Sequence, residues 1–347
     1  MVTYVLAIVV IAFLFDFING FHDSANSIAT IVGTRVLSPF TAVCWAAFFN
    51  FAALFAFKGA VAKAVASGFV DPSVVTPNLM AGALLGAITW NLITWWFGIP
   101  SSSSHALIGG LAGAGIAKAG VSALATGAGS KWAQTLAAIV VSPVLGALFG
   151  FLLMVIVLNL FRGASPARVD KWFRPGQLFS SALLSLSHGG NDAQKTMGII
   201  VGLLVSVAPQ FAGEAGWAHF LYVPDTKTIP LWVKVGAYSS ISLGTLFGGW
   251  RIVHTMGSRI TRLRPVGGFC AETGGALVIL FASTFGVPVS TTHTITGSIV
   301  GVGATSRLRA VRWGIAGSIV WAWVLTIPAS ALMGWAFYHM LQAVHPV

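Results

Sequence analysis

Apolar residues run through this chain in blocks too long for the elements of an ordinary water-soluble core. The blocks cover residues 2 to 19, 39 to 57, 79 to 97, 134 to 161, 232 to 249, 268 to 285 and 313 to 338. Each comes close to or exceeds the roughly 20 apolar residues that a helix needs to cross a bilayer core. The pattern therefore predicts membrane helices joined by short polar loops. The first block has no basic segment before it and no small-residue cleavage site before Asp16, so it reads as a retained helix rather than a signal peptide.

The chain repeats itself. Gly20 to Asn26 (GFHDSAN) matches Gly189 to Lys195 (GGNDAQK) at an offset of 169, and Gly98 to His105 (GIPSSSSH) matches Gly286 to His293 (GVPVSTTH) at an offset of 188. The difference of 19 residues (188 minus 169) is absorbed by the longer loop from Pro209 to Pro230. A duplication of this kind predicts a first repeat over 1–161, a basic cytoplasmic linker over 162–176 and a second repeat over 177–347. Glycine and asparagine beside Asp23 and Asp192 disfavour helix in mid-span, so the first helix of each half is expected to be broken there. Each Gly-x-Pro motif is expected to form the tip of a re-entrant hairpin.

With three crossings per half, the second half is inverted relative to the first, a plan common among secondary transporters. Positive charge supports this threading, because Lys and Arg accumulate in short cytoplasmic loops. With the N-terminus outside, twelve basic residues fall inside, including every arginine, and six lysines fall outside; Lys195 belongs to neither set. The expected fold is thus an all-α polytopic membrane protein of two inverted-topology repeats with broken helices and re-entrant helical hairpins.

Composition agrees: 56% of residues are hydrophobic and 8% charged, too little charge to cover a soluble surface. The net charge of +11 does not indicate nucleic acid, since the basic residues lie in scattered loops rather than along one stripe with interleaved aromatics. Cys44 and Cys270 lie in apolar segments without CxxC spacing and read as small buried hydrophobes.

An ionisable residue inside a membrane span costs at least about 2.5 to 3.5 kcal/mol on insertion scales, so each one marks a candidate site. Outside the loops these are Asp16, Asp23, Asp192, Glu272 and Lys195. Asp23 and Asp192 occupy equivalent places in the two repeats, which argues for one shared site. A carboxylate with asparagine oxygens from Asn26 or Asn191 makes a hard-oxygen cage suited to a small cation. The hairpin motifs are complementary: hydroxyls and free amides at a helix N-terminus bind anions. Two such tips facing each other would cradle a tetrahedral oxyanion, although simple N-capping by Ser and Thr explains a single copy equally well. Spacings such as Gly109/Gly113 and Gly297/Gly301 are read as helix packing.

These motifs resemble the inorganic phosphate transporter (PiT) family, whose signature is a duplicated Gly-Ala/Ser-Asn-Asp-x-Ala/Ser-Asn followed by a Pro-Val-Ser-Thr-Thr-His element. The resemblance covers both halves and implies a multi-pass protein of the bacterial inner (plasma) membrane that couples phosphate to sodium or protons. It implies Asp23, Asn26, Asn191 and Asp192 as ligands on the first helices, and Ser102, Ser103, Ser104, Ser290, Thr291 and Thr292 as ligands at the tips. Glu272 resembles the family's acidic residue before the second hairpin. The sequence departs from the signature at Phe21, His22 and Lys195. Both His22 and Lys195 can titrate where an amide would ligate sodium, as in a bacterial branch associated with protons and metal-phosphate.

The coupling-ion candidates are therefore Asp23, Asp192, Glu272, His22 and Lys195, with Asp23 and Asp192 as metal ligands if sodium drives transport. The anion candidates are Asn26, Asn191 and the six tip hydroxyls. The expected function is proton-coupled phosphate import; sodium coupling, or import of another oxyanion such as sulfate, is the alternative. No cofactor is expected beyond phosphate, its coupling H+ or Na+, and a divalent metal carried in complex with phosphate. The expected partners are phosphate and the lipid bilayer, and a homo-oligomer is compatible with the reading. A membrane-embedded phosphotransferase fits less well, because its groups would not be duplicated symmetrically.

Overall fold

The computed structural model describes residues 1–213 and 216–346. Its first half holds α1 (Val2–Gly33), α2 (Pro39–Ala56), α3 (Ala60–Gly68), α4 (Pro77–Trp96), α5 (Ser103–Ala119) and α6 (Lys131–Leu160). The second half holds α7 (Pro166–Ser206), α8 (Ala208–Phe211), α9 (Leu231–Phe247), α10 (Trp250–His254), α11 (Pro265–Thr284), α12 (Thr291–Ser306) and α13 (Trp313–Val344). Among the described residues α1, α2, α4, α6, α11 and α13 are long and apolar enough to cross a membrane. The most apolar stretch of α6 is 22% buried and that of α11 is 67% buried, so α6 presents its side chains to lipid while α11 lies inside.

The duplication is visible in local structure. Prolines fit the first turn of a helix, where no amide donor is needed, and Pro77 and Pro265 open α4 and α11, each 20 residues long. Both helices end in the same way. Gly98 and Gly286 each adopt φ of +65°, and the following Ile99 and Val287 amides reach back to the Thr94 and Ala282 carbonyls, at 2.9 and 3.0 Å. This left-handed termination favours glycine and, with the proline that follows, stops the helix and turns the chain. α4 and α5 then form one antiparallel hairpin, and α11 and α12 the other.

The two halves interlock rather than forming separate lobes. α5 of the first half lies along α13 of the second, and α12 of the second lies along α6 of the first. A Cβ on Gly109 or Gly113 would fall 2.6 or 1.8 Å from the carbonyl oxygens of Ile327 or Ala331. A Cβ on Gly297 or Gly301 would fall 2.1 or 2.0 Å from those of Pro143 or Ala147. The glycine spacings thus let backbones touch, as the sequence suggested.

Two expectations are corrected. α1 and α7 run unbroken through Asn19–Gly20 and through His188–Asn191. The glycines there serve close crossing instead. A Cβ on Gly20 would lie 2.1 Å from the Ile241 carbonyl oxygen of α9, and one on Gly189 would lie 2.6 Å from that of Asn50 on α2. Helix also enters the stretch 162–176, because Pro166 opens α7, leaving only the turn up to Ser165 as non-helical chain between the halves.

α1 and α7 cross antiparallel at the centre. Near the end of α1, Thr34 bonds Gln177 from the start of α7, at 2.8 Å. Earlier on α1, Asp16 adjoins Thr196 from the far part of α7. Asp23 and Asp192 meet between these points, with both hairpin tips beside them.

Candidate functional site

Two faces of the crossing carry the carboxylates. On α1, the Ser103 hydroxyl donates to Asp23 at 3.1 Å, and the His22 Nδ1 lies 2.6 Å from the same oxygen. His22 Nε2 reaches Thr94 and Ser101, at 3.0 and 3.4 Å, tying α1 to both sides of the first tip. On α7, Asp192 receives the Lys195 ammonium on one oxygen. Its other oxygen has His188 Nε2 and the Thr291 hydroxyl at 3.1 Å each. Helical spacing sets these pairs, since residues three and four apart share a face.

The tips are stitched across the pseudo-repeat. The Asn26 amide donates to Thr292 and Thr291 at 2.9 and 3.2 Å, so α1 holds the second tip. Lys195 reaches Ser104 of the first tip and the Val289 carbonyl of the second, so α7 holds both. Behind the hydroxyls, the buried rings of His105 and His293 meet at 4.7 Å between centroids, which places the two tips face to face. Asp23, Asp192 and Lys195 are at most 3% exposed, so the site is closed to both sides.

Ser102 and Ser290 cap their helices, accepting the His105 and His293 amides at 3.2 and 3.1 Å. Their hydroxyl hydrogens remain to be donated, and the first two amides of α5 and α12 have no intrahelical acceptor. The positive ends of two helices therefore point into a space bounded by Ser103, Ser104, Thr291 and Thr292. His22 stands between the Asp23 carboxylate and the Ser101 hydroxyl, but its Nε2 lies nearer Thr94, at 3.0 Å against 3.4 Å. One ligand atom each from Asp23, His188 and Asp192 lies within 4.8 Å of the others, a set able to hold a metal ion.

Two candidates sit elsewhere. Glu272 on α11 is held by Thr30, Gln177 and Ser180, at 2.6, 2.9 and 2.5 Å. Thr30 is seven residues beyond Asp23, about 10 Å along α1 at 1.5 Å per residue. Asn191 turns aside and donates to Ser283 at 2.8 Å.

The model of the phosphate transporter family matches residues 19–165 and 161–334. The chain belongs to this family. A "Probable low-affinity inorganic phosphate transporter" of Rhizobium meliloti (strain 1021) is 54% identical over 98% of this chain and 97% of its own length. One of the same description from Bacillus subtilis (strain 168) is 42% identical over 98% of this chain and 97% of its own. A solved structure, "The sodium-dependent phosphate transporter", superposes with a TM-score of 0.86 at 26% identity, covering 99% of this chain and 100% of the other. With six helices among the described residues long and apolar enough to cross a membrane, this member of the family is a multi-pass protein of the bacterial inner membrane.

Several residues of the site were not selected from the sequence. Thr94 and Asn50 carry no motif, and Ser101 belongs to the hairpin motif without being one of its chosen ligands, yet Thr94 and Ser101 hold His22 and Asn50 lies 3.2 Å from His188. His188 was not among the candidates taken from the sequence. Its position four before Asp192 was the available signal, because that spacing puts both on one helix face.

Proposed function

We propose that this chain is a secondary active importer of inorganic phosphate, driven by protons. The observation that carries the reading is the pair of hydroxyl-bearing helix N-termini, at Ser103–Ser104 and Thr291–Thr292, set face to face beside Asp23 and Asp192. Neutral donors and helix ends suit an oxyanion, and cations bound by the two acids supply the positive charge that lets a dianion enter a closed site. His22 hydrogen-bonded to Asp23 provides groups that exchange protons beside the substrate, where amide ligands for sodium would otherwise stand. The cluster of Asp23, His188 and Asp192 supports entry of phosphate with a divalent metal.

Uptake into proteoliposomes tests this. An inward proton gradient without sodium should accumulate phosphate uphill, and excess sulfate should compete little. Accumulation driven only by a sodium gradient would replace protons by sodium as the coupling ion, the reading that the sodium-dependent relative favours. Strong competition by sulfate would widen the substrate.

The reading includes a second half inverted relative to the first, supported by the antiparallel crossing of α1 and α7 and by the sidedness of the arginines. Lys63 and Arg259 are both exposed. A cysteine at Lys63 should react with an impermeant maleimide from outside, and one at Arg259 only from the cytoplasm. Labelling of both from one side would contradict the arrangement.

A further inference from the structure

Among the described residues Lys195 is the one buried lysine, 2% exposed, and it lies where the two repeats meet. Its ammonium is surrounded by oxygen: the Asp192 carboxylate, the Ser104 hydroxyl and the Val289 backbone carbonyl at 3.0 Å. A carboxylate, a hydroxyl and a backbone carbonyl, drawn from α7 and both hairpin tips, also form the hard-oxygen set that replaces the hydration shell of a small monovalent cation. An ammonium has three hydrogens and no acceptor, so these three oxygens satisfy it completely. Its equivalent in the first half is Asn26, 169 residues earlier, whose neutral amide bonds Thr291 and Thr292 of the opposite tip. The two repeats thus do the same stitching, but only the second places a cation there.

We propose that Lys195 is a tethered coupling cation: its ammonium fills the oxygen cage of a free monovalent cation, so that the carrier moves one free cation fewer per phosphate. The inference rests on the phosphate-import reading above and refines it. In the loaded site the ammonium offsets part of the charge of phosphate, Asp23 and Asp192. In the empty site it neutralises Asp192, so the carrier can reorient with no ion bound in that cage. A free cation would be released at each turnover, whereas a tethered one stays with α7.

Lys195→Asn, which installs the residue of the first repeat, tests the proposal in proteoliposomes at fixed pH, with sodium chloride exchanged for N-methylglucamine chloride. Phosphate uptake and charge moved per phosphate are measured together. Adjoining cation and anion sites couple by typically about 5- to 150-fold. Wild type should respond to sodium less than about two-fold, below that coupling range. Lys195→Asn should be stimulated about ten-fold, within it, and should carry one more positive charge per phosphate. Lys195→Arg should keep the wild-type indifference to sodium. Sodium-independent uptake by Lys195→Asn with wild-type charge per phosphate would overturn the proposal. Should Lys195→Asn transport in neither salt, binding of radiolabelled phosphate to the purified variant decides. Tightening by sodium supports the cage, and folded protein whose phosphate binding ignores sodium refutes it. Wild type that accumulates no phosphate under any gradient would sink the functional reading itself.

Discussion

Asp192→Asn is expected to abolish phosphate accumulation and to lower the yield of folded protein. Asp192 is fully buried and is the counter-ion of Lys195, with His188 and Thr291 on its second oxygen. Removing one partner of a buried ion pair typically costs about 3 to 5 kcal/mol, because the other charge is left without compensation. An amide would accept one hydrogen bond but could not offset the ammonium. The double variant Asp192→Asn with Lys195→Met removes both charges and should regain most of the thermal stability in detergent, while uptake stays at background. That separation of stability from transport identifies the Asp192–Lys195 pair as functional. If either variant accumulated phosphate at the wild-type rate, the shared acidic site would be misplaced.

The second large effect is purely steric. Gly113→Ala should markedly lower stability, because the added Cβ would stand 1.8 Å from the Ala331 carbonyl oxygen of α13. Backbone cannot yield as a flexible side chain can, so α5 must separate from α13 along the contact that places the first tip. Overpacking a tight core typically costs about 1 to 3 kcal/mol, occasionally more. Gly115→Ala is the control: its Cβ would meet Val70 Cγ2 at 3.5 Å, an ordinary contact. Detergent melting curves should show Gly113→Ala well below both wild type and Gly115→Ala. Equal melting of all three would mean that this helix contact contributes nothing to stability.

Much of the molecule was legible because membrane helices leave coarse signals. Apolar length gives the spans, duplicated spacing gives the repeat, and Gly-x-Pro gives the tips, since a left-handed residue followed by proline ends a helix whatever surrounds it. The broken helices were misread because glycine has two uses. At Gly20 and Gly189 the determining fact is a carbonyl on α9 or α2, far away in sequence, and no local pattern reports it. Glu272 was grouped with the central acids as a charge inside a span and by its resemblance to the family's acidic residue, whereas its partners Thr30, Gln177 and Ser180 come from two other helices.

The sequence by itself determined the membrane class, the duplication, the hairpin tips and the acids in equivalent places, because each depends on length, composition or residues close along the chain. Tertiary structure alone decided which half serves which. Asn26 holds the opposite tip, Lys195 joins both tips to Asp192, and each hairpin packs on the last helix of the other half. These contacts join residues up to 266 positions apart. They exist only once antiparallel helices cross, and the physical reason is that burial of a charged or polar group is settled by its partners and not by its neighbours in sequence.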